Sequence, residues 1–204
     1  MFAERINPLA RKVPTWVVYG AGLIPLAFVV FQAVTGDLGA DPVKTLERTL
    51  GLYALQFLIA TLCITPLRRF TGIMLIRFRR ALGLLTFLYA ALHLTVWVTL
   101  DLAFRWGEIW GDIVKRPYIL VGMIALLVMV PLAITSNNTS VRRLGGQVWQ
   151  RLHKLTYVAA GLGALHFVML SKVWHPQLVL YTLGIAVLLA LRLVPTGKRR
   201  VAVA

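Results

Sequence analysis

Three histidines stand in or beside long apolar runs, and they set what chemistry this chain can do. His93 lies in ALGLLTFLYAALHLTVWVTL, residues 81–100. His166 lies in RLHKLTYVAAGLGALHFVMLSK, residues 151–172, and His153 stands at the basic start of the same run. A neutral imidazole is a common axial ligand for haem iron. A zinc-type site would call for more histidines, carboxylates or cysteines at the same depth, and these runs supply none. One histidine in an apolar helix reads equally well as a polar residue bonded across helices. Two at matched depth on two helices read better as a functional pair, because ionisable residues inside a membrane are costly and usually functional.

The spacing supports the pairing. His93 follows Ala81 by 12 residues, and His166 follows His153 by 13. At about 1.5 Å per residue, each lies roughly 18–20 Å from the basic start of its helix. The small residues Ala159, Ala160, Gly161, Gly163 and Ala164 surround His166, which lets helices approach closely and leaves room for a flat macrocycle. A haem with His93 and His166 as axial ligands is therefore expected. His153 is turned roughly 140° from His166 at about 100° per residue. It is a candidate for a second haem or for contact with a flavin or quinone, and equally reads as an ordinary interfacial histidine. His175, beside Trp174 and Pro176, reads as an exposed loop residue, with contact to an outer partner as the alternative.

Membrane helices must position these residues. Of 204 residues, 59% are hydrophobic and only 14% are charged, against about 25% charged in a soluble domain. Six runs are long and apolar enough to span, at approximately residues 14–34, 50–66, 81–100, 117–135, 152–170 and 177–194. Pro25 is expected to kink the first, Pro117 suits a first helical turn, and Arg192 lies near enough to an end to snorkel. No run alternates as a membrane barrel strand does. The expected fold is an all-α polytopic bundle of six transmembrane helices forming one domain over residues 1–204. No small-residue cleavage site follows the first span, so it is expected to be retained. The single Cys63 excludes an intrachain disulfide and a cysteine-held iron–sulfur cluster, and reads as a packing residue.

The net charge of +15 is a topology signal, not a nucleic-acid footprint, because the basic residues gather in alternate loops. One side takes Arg5, Arg11 and Lys12, then Arg68, Arg69, Arg77, Arg79 and Arg80, then Arg142, Arg143, Arg151 and Lys154, and finally Arg192, Lys198, Arg199 and Arg200. The other takes Lys44, Arg48, Arg105, Lys115, Arg116 and Lys172, together with Asp37, Asp41, Glu47, Asp101, Glu108 and Asp112. Both termini are thus expected in the cytoplasm. The loops are too short for a nucleotide-binding fold, so any donor or substrate domain belongs to another protein. A transporter with a histidine proton relay would want intramembrane carboxylates, and the six runs contain none.

The stretches RFRRALGLLTFLYAALHLTVWVTLDL and ITSNNTSVRRLGGQVWQRLHKLTYVAAGLGALHFVMLSK resemble the ferric reductase-like transmembrane superfamily. The closest resemblance is to its haem-binding subunits of periplasmic methionine sulfoxide reductase systems, and it covers nearly the whole chain. It implies b-type haem with His93 and His166 as axial ligands, FMN, and a place in the bacterial inner membrane. It implies electrons drawn from the quinone pool or a cytoplasmic flavin reductase. The acceptor it implies is MsrP, a soluble periplasmic molybdopterin enzyme that repairs oxidised proteins. Two-haem relatives carry two histidines on each of two helices, whereas the third span here carries only His93. A metalloreductase acting directly on ferric chelates would share the haem without needing the partner. Given FMN, the cytoplasmic Arg77, Arg79, Arg80, Arg142 and Arg143 are candidates for its phosphate, since guanidinium groups bind phosphate in a bidentate fork. Trp149 and His153 are candidates to pack against an isoalloxazine or quinone ring. The same arginines also read as topology signals alone.

Overall fold

A computed structural model describes residues 2–171 and 173–194 of the chain. Lys172, Lys198, Arg199 and Arg200, used above in the charge pattern, lie outside the described residues. The helices are α1 (Phe2–Lys12), α2 (Thr15–Thr35), α3 (Pro42–Thr71), α4 (Arg79–Val96), α5 (Trp106–Lys115), α6 (Pro117–Ile134), α7 (Asn138–Leu144), α8 (Gly146–Leu152), α9 (Leu155–Leu170) and α10 (Pro176–Leu193). A 3₁₀ turn, Ile76–Phe78, leads into α4, and a π-helical turn, Trp97–Asp101, prolongs it. No strand occurs among the described residues, in keeping with an all-α fold.

Among the described residues five segments are long and apolar enough to cross a membrane: α2, α3, the stretch Ile76–Asp101 built around α4, α6 and α10. The remaining expected span is α9, which has 16 residues. The run expected as one helix over 152–170 is broken near its start, where α8 ends at Leu152 and His153 and Lys154 form a turn before α9. Helix α3 is longer than its apolar middle at 50–66, because Pro42 occupies its first turn and the Asp41 side chain accepts the Lys44 amide at 3.1 Å. Its other end runs on through Arg68 and Arg69 and stops at Gly72, whose φ of 75° suits only glycine well. The connections carrying α5 and α7 read as loops in the sequence but are helical. They are short, and their apolar residues do not form a membrane-length run.

Two packed centres hold the bundle. In the first, α2, α3 and α4 meet around Tyr89, which is fully buried. Phe57 stacks on its ring at 5.2 Å, Tyr53 meets it edge-on at 5.6 Å, and its hydroxyl donates to the Gly22 carbonyl at 2.7 Å. In the second, Leu55, Leu58 and Leu62 of α3 pack on Ala160 and Ala164 of α9 and Ile185 of α10. Arg192, expected to snorkel outward, instead turns inward. It donates to the Leu62 carbonyl at 2.7 Å and lies over the Tyr157 ring.

The basic ends of the helices are tied together. Asn7 of α1 bonds the Gly72 carbonyl and the Met74 amide, and Arg77 donates to the Arg11 carbonyl. Arg69 donates to the carbonyls of Leu191 and Val194 at the end of α10. Helices α6 and α9 run antiparallel and touch at both ends, Thr135 with His153 at one and Tyr118 with His166 at the other. Replacing Tyr89 with Phe keeps both ring contacts and removes only the bond to Gly22. We expect it to lower stability by about 1 kcal/mol, read as a lower unfolding midpoint in detergent; an unchanged midpoint would show that bond to be energetically idle.

Candidate functional site

His93 and His166 come together, with ring centroids 6.3 Å apart and planes at 74°. They are held by the same device. His93 Nδ1 lies 2.8 Å from the carbonyl of Glu47 in the second turn of α3, and His166 Nδ1 lies 2.7 Å from the carbonyl of Tyr118 in the first turn of α6. A carbonyl only accepts, so each Nδ1 carries the proton and each neutral ring keeps its lone pair on Nε2. This is the orientation that second partners give to metal-binding imidazoles.

A glycine stands four residues beyond each acceptor, Gly51 after Glu47 and Gly122 after Tyr118. Positions i and i+4 lie above one another on a helix face. A Cβ at Gly51 would stand 3.1 Å from His93 Nδ1, and one at Gly122 only 2.8 Å from His166 Nδ1. Each glycine therefore opens the helix flank, and the imidazole reaches the second lone pair of a carbonyl already engaged in the helix. The sequence separations are alike, 46 residues from Glu47 to His93 and 48 from Tyr118 to His166. The antiparallel pairs α3–α4 and α6–α9 thus present their histidines in the same way.

This arrangement fits a haem iron. His93 and His166 would hold such an iron through their Nε2 atoms, and the haem would supply a one-electron centre there. Among the described residues no three His, Cys, Asp or Glu side chains cluster as a metal site. A two-histidine set suits an iron whose other positions a macrocycle fills.

His153 does not join this pair. It caps α8 at the other end of the α6–α9 pair and stacks on Trp149, with centroids 3.8 Å apart and planes at 26°. The Thr135 hydroxyl donates to the Pro131 carbonyl at 2.6 Å and so accepts from His153 Nε2–H at 3.1 Å. The Trp149 indole donates to the Thr135 carbonyl at 2.8 Å. His153 is therefore held in the opposite tautomer from the other two. Burial pushes its imidazole below the usual value, and the charges of Arg79 and Arg80 add to the effect. Arg80 also donates to the Asn138 side chain at 2.8 Å, which ties α4 to the start of α7.

The arginines expected to act together are divided. Arg79 and Arg80 lie close enough for their charges to act on His153, with Arg80 bonded to Asn138, Arg77 donates to the Arg11 carbonyl of α1, and Arg142 and Arg143 are exposed on the last turn of α7. His175 caps α10, its Nδ1 accepting the Leu178 amide at 3.1 Å. Glu47, Gly51, Tyr118, Gly122 and Thr135 are absent from the sequence-based candidates. Three of them act through backbone carbonyls, which residue type does not announce; the lone glycines inside apolar runs are the one signal that could have pointed to the place.

Residues 49–164 match the family model described as ferric reductase like transmembrane component, a stretch that includes His93 and His153 and stops just short of His166. The chain is also 51% identical over 190 residues to proteins from Brucella ovis, Brucella canis and Brucella suis. The match covers 93% of this chain and 86% of each relative, and each relative is named protein-methionine-sulfoxide reductase heme-binding subunit MsrQ. With the family match across more than half its length and this identity across nearly all of it, the chain belongs to the ferric reductase-like transmembrane family, among the MsrQ haem-binding subunits.

Proposed function

We propose that this chain carries electrons across a bacterial inner membrane to a periplasmic methionine sulfoxide reductase, with a b-type haem held by His93 and His166. The observation that carries this reading is the matched pair of imidazoles, each fixed through Nδ1 and free at Nε2. A haem bound there supplies a one-electron centre whose potential the surrounding protein tunes. The relatives are named as subunits of a reductase, so the sulfoxide chemistry falls to a partner, for which the molybdopterin enzyme MsrP is the candidate.

Six crossings with both termini in the cytoplasm fit this reading. Helix α9 is short, yet it accompanies α6 from Thr135 to Tyr118, about 25 Å at 1.5 Å per residue, so it covers the thickness that α6 covers. The ties of α1 and of the end of α10 to the Arg68–Arg80 region favour both termini on one face. Reporter fusions at the C-terminus and in the Arg68–Arg80 loop should then show cytoplasmic activity, and fusions within Asp101–Arg116 should not. The reverse pattern would overturn the orientation.

Electrons are proposed to arrive on the basic face, from the quinone pool or a cytoplasmic flavin reductase. The Trp149–His153 stack, flanked by Arg79 and Arg80, offers flat rings beside guanidinium groups, which suits a quinone or an FMN with its phosphate. Arg142 and Arg143 are the further candidates for that phosphate. His153 acts there as a contact.

Replacing either His93 or His166 with Ala should remove most of the haem absorbance of the purified protein. A full bis-histidine spectrum in both variants would refute the ligand assignment. Glutamine at Arg79 and Arg143 should lower FMN content or the rate of haem reduction from the cytoplasmic side, with the oxidised spectrum unchanged. If a normally inserted variant keeps both, these arginines serve topology alone.

A further inference from the structure

The histidine pair sits at the acidic end of the bundle, and one charged cluster there touches it directly. Lys44 in the first turn of α3 pairs with Glu47 at 3.2 Å and also with Asp101 at the end of the π turn. The Glu47 and Asp101 side chains are 16% and 20% exposed, and the Lys44 side chain between them is 37% exposed. Glu47 is the residue whose carbonyl holds His93, and the charge of its carboxylate also reaches His166. The other ion pairs on this face neutralise themselves, Arg105 with Glu108 and Arg116 with Asp112. The Lys44 cluster has two carboxylates to one ammonium, and Lys115 and Arg116 line the same cavity as Lys44 and Asp101. Arg116 also feels Asp101, but it is the pair partner of Asp112.

The backbone is shaped to bring Asp101 there. α4 widens into a π-helical turn only after His93, with the Leu102 amide bonded to the Trp97 carbonyl, five residues back, at 3.0 Å. π turns inside helices occur often at functional sites. The chain then leaves through Ala103 and Phe104, both with left-handed φ, 44° and 59°, a conformation unfavourable for residues that carry a side chain.

We propose that Glu47, Asp101 and Lys44 are positioning residues that set the reduction potential of the centre held by His93 and His166. The inference rests on the haem reading given above. Ferric haem carries one more positive charge than ferrous haem. Each carboxylate of the cluster favours the ferric form and lowers the potential, the Lys44 ammonium does the opposite, and a lower potential makes electron release toward the outer face easier. The opposing charges within the cluster give opposite signs on substitution, which a structural role alone would not.

The test is a spectroelectrochemical titration of detergent-purified haem protein. Glu47→Gln and Asp101→Asn should each raise the midpoint potential, and Lys44→Met should lower it. Glu108→Gln, on the same face but half exposed in a pair of its own, should leave it in place. Glutamine keeps the Glu47 carbonyl, so His93 stays anchored and the oxidised spectrum should be retained. If Glu47→Gln does lose haem, the opposed shifts of Asp101→Asn and Lys44→Met decide the matter alone. Shifts of the same sign in the acid and base variants, or no shift in any that holds haem, would overturn the inference. Failure of the haem reading is seen separately, as a wild-type protein with no reducible haem spectrum.

Discussion

The constraint on which the site depends is the hydrogen bond from an imidazole Nδ1 to a helix carbonyl. In an apolar bundle a histidine has few partners, and an unpaired polar group there is costly. A helix carbonyl, though engaged with the amide four residues on, keeps a second lone pair. Reaching it requires that no Cβ stand in the way. Gly51 and Gly122 meet that requirement beside Glu47 and Tyr118. The bond therefore fixes the tautomer, the ring direction and the closeness of two helices together. The first core around Tyr89 and the second around Leu58 and Ala160 keep α3 beside α4 and α9 close to α3.

The third histidine shows the rule by contrast. His153 faces a hydroxyl whose own proton is already given to Pro131, so Nε2 carries its proton. The ring is stacked on Trp149 and lies within reach of the charges of Arg79 and Arg80, which is the arrangement that the proposed ring or anion contact would use. The two ends of the α6–α9 pair thus bear different chemistry: free lone pairs at one, and flat rings with positive charge at the other.

Much of this was legible in the sequence. Apolar runs placed the helices, and the spacing of His93 and His166 from their basic starts placed the rings at one depth, because helix rise is constant. Boundaries were less so. α3 extends past its apolar middle because Asp41, Pro42 and Gly72 set its ends, not hydrophobicity. The 151–172 run breaks at His153, whose side chain bonds Thr135, 18 residues earlier. Arg192 turns inward to the Leu62 carbonyl, 130 residues away. The contacts of His153 and Arg192 are long-range and no local pattern carries them, whereas the ends of α3 are local caps that lie outside the apolar run. The carbonyls of Glu47 and Tyr118 were invisible for a different reason, since every residue has one.

Charge gives the bundle a direction as well as an orientation. The arginine-rich end and the carboxylate-rich end lie on opposite sides of the same helices. A positive-inside rule alone explains the arginines, but it asks nothing of the acids, which contribute little to topology. Their placement beside the histidine pair needs another cause. On the proposed path from the basic end to the acidic end, an electron would move against the potential these charges set up, which would make the acidic end a point of release. Glu47 joins both arguments in one residue: its backbone orients His93, and its carboxylate colours the field in which that histidine works.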